Sequence, residues 1–296
     1  MDYLLLLCAT LTCAVKGLVC KKIGGGTKGN RRVFELNALI FLGAALTVGA
    51  YAWSSGIGFV LSQTTFFLAM CFAFMLMFTQ LTETFAMRYG PASITSLIYS
   101  LGFLFPIFYS TLFLKEHISV LQICGMMVAV ASLCFMIDLK HDRKMGGRWL
   151  LLSFLACFGS GVNAIIQKIH RSQTLEQEVP TFLVMALLLA AVLSYLIAVV
   201  LKRVGNKSAD LPSNGISLST ILFNLLFCGV SVGALNILNL VLAGRLPAII
   251  QFPVYNIGSM ILVGLGGKFI FKDQMTRKQI VGFGIGCVAI LMIGLL

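Results

Sequence analysis

A block of this sequence occurs twice. Residues 89–137 return in the same order at 243–294: Pro91, Tyr99 and Gly102 match Pro247, Tyr255 and Gly258 at a shift of 156. One inserted residue later, Lys115-Glu116, Ser119, Gln122 and Gly125 match Lys272-Asp273, Thr276, Gln279 and Gly282 at a shift of 157. What lies between the copies fixes their relation. If the chain crosses a membrane an odd number of times from one to the other, the second copy is upside down, and the pair can enclose one midplane space.

Composition identifies the solvent. The chain is 59% hydrophobic and 11% charged, with mean hydropathy +0.98. A soluble domain carries about 25% charged residues. A spanning helix needs roughly 20 mostly apolar residues to cross about 30 Å of hydrocarbon. Ten such stretches are visible, near 3–20, 34–53, 63–87, 92–113, 119–138, 149–169, 180–201, 217–243, 247–270 and 276–295. They are long and continuous, with none of the two-residue alternation of barrel strands, so the expected fold is an all-α polytopic membrane protein. Asp2 precedes the first stretch and Lys21-Lys22 follow it, the reverse of a basic-headed leader, so it is read as a span. The expected organisation is a first five-helix repeat over 1–139, a cytoplasmic linker over 140–148 and a second five-helix repeat over 149–296, together one structural unit. Five spans per half make the repeats inverted.

Charge predicts orientation. Assigning connections alternately to the two sides places seventeen Lys and Arg on one and four on the other (Lys115, Lys168, Arg171 and Arg245), with Lys16 inside a span. The positive-inside rule puts the rich side in the cytoplasm of a cell membrane and both termini outside. The net charge of +12 is then a topology signal, which anionic lipid complements. No aromatic stacking surface interleaves these bases, so nucleic acid is excluded as a partner.

The catalytic alternatives fail on spacing. Nine cysteines lie in or beside apolar stretches without a C-x-x-C pair, and His117, His141 and His170 are dispersed, so no metal site is expected. Gly24-Gly25-Gly26-Thr27-Lys28 and Gly264-Leu265-Gly266-Gly267-Lys268 lack both the Gly-Lys-Ser/Thr order and the strand-to-helix context of a phosphate loop. No nucleophile–base set or paired carboxylates appear. The expectation is therefore no enzyme and no cofactor.

Ser119 with Gln122 and Thr276 with Gln279 form capping-box patterns at the starts of spans five and ten. Gly125 and Gly282, three residues on, suit close helix approach; Gly286 extends that small face toward a contact within the monomer or between monomers. With these features the chain resembles the EamA-like branch of the drug/metabolite transporter superfamily over essentially its whole length. Lys22 and Lys168 close the first span of each half. The segments 86–93 and 243–248 join spans three to four and eight to nine, and Glu116, Ser119, Gln122, Gly125 and Asp273, Thr276, Gln279, Gly282 open the last spans. The aromatic often found near the end of the first span is Ala14 here and Ser160 in the second half, a departure from the family pattern. The resemblance implies that spans one, three, four, six, eight and nine line a central cavity, while five and ten pack outside.

Polar residues in hydrocarbon are functional candidates by default. Those in the six implied spans are Thr79, Gln80 and Glu83; Tyr99; Asn163 and Gln167; Asn236 and Asn239; and Gln251, Tyr255 and Asn256. Each competes with interhelical hydrogen bonding as its explanation. Glu83 is the only acid away from a predicted membrane edge and Lys16 the only base well inside a span. Both stand about five residues, roughly 7 Å, from the predicted cytoplasmic end. Lys16 either snorkels to the surface, pairs with Glu83, or joins it in holding a zwitterionic or amine-bearing substrate; Glu83 as carrier of a coupling proton is a further reading. Pro91, Pro106, Pro247 and Pro253 are candidate hinges. The resemblance implies a secondary-active alternating-access transporter of a small organic metabolite, amino acid- or amine-like, working by export or exchange. A multidrug or quaternary-amine exporter and a lipid-carrier flippase of the same fold stay open. The expected partners are a small-molecule substrate and membrane lipids. A coupling ion or proton and a homodimer are open.

Overall fold

A computed structural model describes residues 2–26, 29–90, 92–136, 146–204, 217–270 and 277–294. Ten helical rods follow one another: α1 (Asp2–Gly26), α2 (Asn30–Ser54), α3 (Gln63–Tyr89), α4 (Ala92–Ser100 and Leu104–Phe113, joined by a 3-10 turn at Leu101–Phe103), α5 (Val120–Met136), α6 (Gly147–Gln173), α7 (Val179–Val204), α8 (Leu218–Ala243), α9 (Ala248–Ile270) and α10 (Arg277–Gly294). No strand occurs among the described residues. Seven rods are long and apolar enough to cross a membrane, and α5, α9 and α10 carry shorter apolar windows. At 1.5 Å per residue, the 27 residues of α3 or α6 reach about 40 Å, more than a hydrocarbon core. Large apolar side chains such as Leu46, Phe74, Phe108, Val192 and Leu291 point outward, as lipid requires.

Rod boundaries follow local chemistry. Ser62 caps α3 by accepting from Thr65 N at 3.1 Å. At α5, Ser119 N donates to Gln122 Oε1 at 3.0 Å and Gln122 N to Ser119 Oγ at 3.2 Å, the reciprocal box read from the sequence. Thr276 lies outside the described residues. Within α4, Pro106 cannot donate to the carbonyl of Gly102, and the 3-10 turn stands there. α9 runs through Pro253 unbroken.

The repeats are visible in the packing. α2 lies on α7, and α5 on α10, each rod against its own repeat mate. The α3–α6 contact is matched by α8–α1, α4–α6 by α9–α1, and α3–α7 by α8–α2. Exchanging each rod for its mate thus preserves the principal contacts, as a two-fold relation between halves demands. Short connections (114–119, 174–178 and 244–247) force neighbouring rods antiparallel, so five rods per half invert the second copy. One end of the bundle carries the N-terminus and these connections; it is termed the N-terminal face. The other, with Arg31, Arg32, Arg88, Arg148, Lys202 and Arg203, is the basic face.

Two apolar clusters build the core. One joins α2, α3, α7 and α8 through Phe41, Phe72, Phe182 and Leu240; the other joins α1, α4, α6 and α9 through Leu6, Phe103, Trp149 and Phe252. Glycine brings backbones together where needed. Ser132 Oγ donates to Gly282 O at 2.7 Å, and Gly125 faces Met292 and Ile293, so the small faces serve the contact between α5 and α10 within the monomer. α8 widens into a π-turn at Phe223–Cys228, beyond which Gly229 rests on Gly43 of α2. A Cβ on Gly43 would stand 2.9 Å from the carbonyl carbon of Leu225. Gly43→Val is expected to cost at least about 1–3 kcal/mol by overpacking, whereas Gly49→Val, with open space around it, leaves detergent stability unchanged. Thermal unfolding of both variants checks this.

Candidate functional site

The residues singled out from the sequence as substrate contacts are buried, except that Lys16 and Tyr99 are partly exposed. The structure sorts most of them into three groups. The first is ionic. Lys16 of α1 reaches Glu83 of α3, Nζ to Oε2 3.2 Å, with side-chain exposures of 14% and 5%, so the lysine does not snorkel out. Its ammonium also stands 3.5 Å from the Tyr99 hydroxyl of α4. Tyr99 lies near Ser160 on α6. Cys13, one turn before Lys16, is within reach of Ser259 and Tyr255 on α9. The two repeat-related tyrosines therefore meet around one Lys–Glu pair, and five rods contribute.

This convergence has a local cause. Lys16 and Cys13 are three residues apart on α1, hence on one face. Gly17 beside Val263, and Gly258 beside Thr10, let α9 lie close along that face. Gly102 does the same for α4 against Cys157 and Ser160 of α6. A buried cation and carboxylate cost desolvation, and removing either partner leaves the other uncompensated, a penalty of about 3–5 kcal/mol.

The second group is Thr79 and Asn163. Thr79 Oγ1 donates to Met75 O at 2.6 Å, so it accepts from Asn163 Nδ2 at 3.0 Å. That fixes the amide orientation and leaves the buried Asn163 Oδ1 without a donor. The third is Gln251, whose Nε2 donates to the main-chain carbonyl of Asn239 at 2.9 Å. Gln251 Oε1 and Asn239 Oδ1 then stand buried without donors. Asn236 and Asn256 instead donate to Val232 O and Phe252 O on their own helices. Gln80 and Gln167 are buried on α3 and α6. Of the proline positions, Pro91 lies outside the described residues. Pro247 starts α9, its carbonyl accepting from Ile250 N and Gln251 N at 3.1 Å each.

A latch at the N-terminal face escaped sequence reasoning. Lys168 Nζ donates to Glu116 Oε1 at 2.9 Å and to Leu246 O at 2.9 Å, while Ala248 N donates to Glu116 Oε2 at 2.7 Å. One carboxylate from the first half thus ties the end of α6 to the start of α9. Lys115, immediately before it, has φ of 55°, the only positive value outside glycine among the described residues. A lysine in that region is disfavoured, and here it aims Glu116 into the bundle. Beside the latch, Glu178 accepts from Ser62 and Thr65, and the Thr65 hydroxyl stands 3.1 Å from His170 Nε2.

The family model for the EamA-like transporter family matches residues 1–138. The first half of the chain thus matches this family, which lies within the drug/metabolite transporter superfamily. That match implies a multi-pass membrane transporter of the drug/metabolite transporter type, whose partners are a small-molecule substrate and membrane lipids. A protein of known crystal structure, described no further, shares the fold with TM-score 0.71 and 13% identity, over 97% of this chain and 98% of its own. No curated protein matches the sequence.

Removing Lys16 or Glu83 by alanine substitution is expected to destabilise the protein alone, and the double substitution to cost less than the sum, with a coupling of about 0.5–3 kcal/mol. Thermal unfolding of the four-protein cycle measures it. For the latch, Glu116→Gln is expected to raise the rate at which Ser110→Cys reacts with an impermeant maleimide by about tenfold, the equivalent of 1.4 kcal/mol. A background free of native cysteines is needed for that experiment.

Proposed function

We propose that this chain is a secondary-active, alternating-access transporter of a small zwitterionic or amine-bearing metabolite, resident in the cytoplasmic membrane. The observation that carries the reading is the Lys16–Glu83 pair under Tyr99 and Tyr255. An isolated ion pair in hydrocarbon is weak evidence for stability, and as a solute site it has a clear use. An incoming carboxylate competes for the Lys16 ammonium and an incoming amine for the Glu83 carboxylate, each exchanging one partner for another without leaving a bare charge. The unpartnered amide oxygens of Asn163, Asn239 and Gln251 favour a solute that brings N–H or O–H donors, since an unmet buried acceptor costs about 1–3 kcal/mol. A purely cationic drug meets Lys16 beside Glu83, which favours the zwitterion over a quaternary amine.

The positive-inside rule orients the basic face to the cytoplasm and the N-terminal face outward. In that orientation the Lys168–Glu116 latch closes the outer side. Outward opening breaks it, and closure of the basic face around α1, α3 and α4 compensates, with repeat-related rods exchanging roles. Export or exchange follows from whichever gradient the solute supplies.

The experiment begins with thermal stabilisation of purified protein by a metabolite panel of amino acids, amines and carboxylates, followed by counterflow in liposomes. Zwitterions are expected to stabilise wild type, with Glu83→Gln lowering affinity at least about tenfold and Lys16→Met lowering it similarly. A solute that is transported equally by wild type and both variants refutes the pair as its site.

A further inference from the structure

His170 on the last turn of α6 is fully buried, with the Phe182 ring tilted against it at 4.2 Å between ring centres. Its hydrogen bonds can be assigned by counting protons. The single hydroxyl hydrogen of Thr65 goes to the Glu178 carboxylate, which can only accept. Nε2, 3.1 Å from the Thr65 oxygen, must therefore carry hydrogen and donate. The hydroxyl of Thr174 gives its hydrogen to His170 O at 2.6 Å. Its oxygen is 3.2 Å from Nδ1 and 3.3 Å from Nε2. Near-equal distances place it far off either N–H axis, where it makes no hydrogen bond to the ring. Among the described residues, Nδ1 is left as an unprotonated base with no donor on its axis.

The repeat isolates this residue. At a shift of 146, Lys22-Ile23-Gly24-Gly25 of α1 answers to Lys168-Ile169-His170-Arg171 of α6. Lysine and isoleucine are shared, but glycines stand where the second copy has His170 and Arg171. The titratable ring is thus an addition to one face alone. The charged groups around it are accounted for. Glu178 faces it through Thr65, and Arg171 follows it on the same helix, 3.9 Å from Glu176. Lys168 is committed to Glu116.

We infer that Nδ1 of His170 is a proton-binding site that fills when the N-terminal face opens and empties when it closes. This deepens the transport reading and rests on it for the name of the coupled process. Among the described residues, the closed arrangement has an acceptor aligned with one ring hydrogen and none aligned with a second. A proton on Nδ1 also stands beside Arg171. Water entering with the open face supplies the missing acceptor, so the proton binds the open form in preference, and by linkage a proton load favours opening. The chain from Nε2–H through Thr65 to Glu178 supplies a counter-charge that helps hold the imidazolium in the open form. No oxidant or cofactor is involved: one proton moves between solvent and Nδ1.

The test has two arms. In lipid nanodiscs, carbon and nitrogen NMR of labelled histidine, assigned by loss of the signal in His170→Gln, reports the ring state directly and needs no solute. Wild type closed by its latch is expected to show the neutral Nε2–H tautomer. Glu116→Gln at pH 6 is expected to convert it to imidazolium as Ser110→Cys becomes reactive. A ring that stays neutral while the face is demonstrably open overturns the proposal, as does an imidazolium in the closed form. In liposomes, His170→Gln, which keeps a donor toward Thr65, is expected to retain counterflow and lose its dependence on pH between 5 and 8. Retention of the wild-type pH profile overturns the coupling. If no solute is found, the transport reading fails while the first arm still decides the proton site.

Discussion

Hydrocarbon supplies no hydrogen-bond partner, and this one constraint organises the molecule. Every polar group within the bilayer must be met by the protein itself. Backbone groups are met inside helices, which is why the described residues form rods joined by short turns. Many polar side chains are buried in the interior, while leucine, valine and phenylalanine cover much of the outside. Lys16, Glu83, Tyr99 and Tyr255 sit together because a charge at that depth is tolerable only in company.

Inversion provides a scaffold with two equivalent ways to close, and the chemistry placed on it is unequal. Under the shifts that superpose the repeats, Lys16 answers to Val162 and Glu83 to Asn239. The ion pair therefore belongs to the first half alone. At the N-terminal face, Glu116 of the first half and Lys168 of the second meet across the repeats, and His170 adds a base without a counterpart. A symmetric frame accounts for a bistable shape, and the asymmetric side chains decide what each face senses.

Much of this was legible in the sequence because hydrophobic run length and repeat spacing are local signals. Ten helical rods emerged, most of them within a few residues of their ends, although α1 runs on to Gly26, and the Ser119–Gln122 box formed both its bonds. Matched depth made a Lys16–Glu83 pair one of several open readings, since rise per residue converts position along a helix into height, and the structure brings the two together. Other features are set by contacts that spacing does not encode. Lys168 and Glu116 stand 52 positions apart, and Ala248 and Glu116 132 apart; each was visible as a motif residue, but their meeting was not. His170 read as a lone histidine at a helix end because its partners Thr65 and Glu178 come from other segments. The π-turn in α8 depends on Gly43 of a different rod, so its own sequence gives no breaker.

The inverted relation between the halves is the claim from which the rest follows. It is tested most directly by labelling single cysteines at repeat-matched positions, Lys115→Cys and Lys272→Cys, with an impermeant maleimide applied to one side of oriented vesicles. Antiparallel halves require the two to react from opposite sides, Lys115→Cys together with the N-terminus. Reaction of both from the same side would contradict the fold, the latch assignment and the transport cycle together.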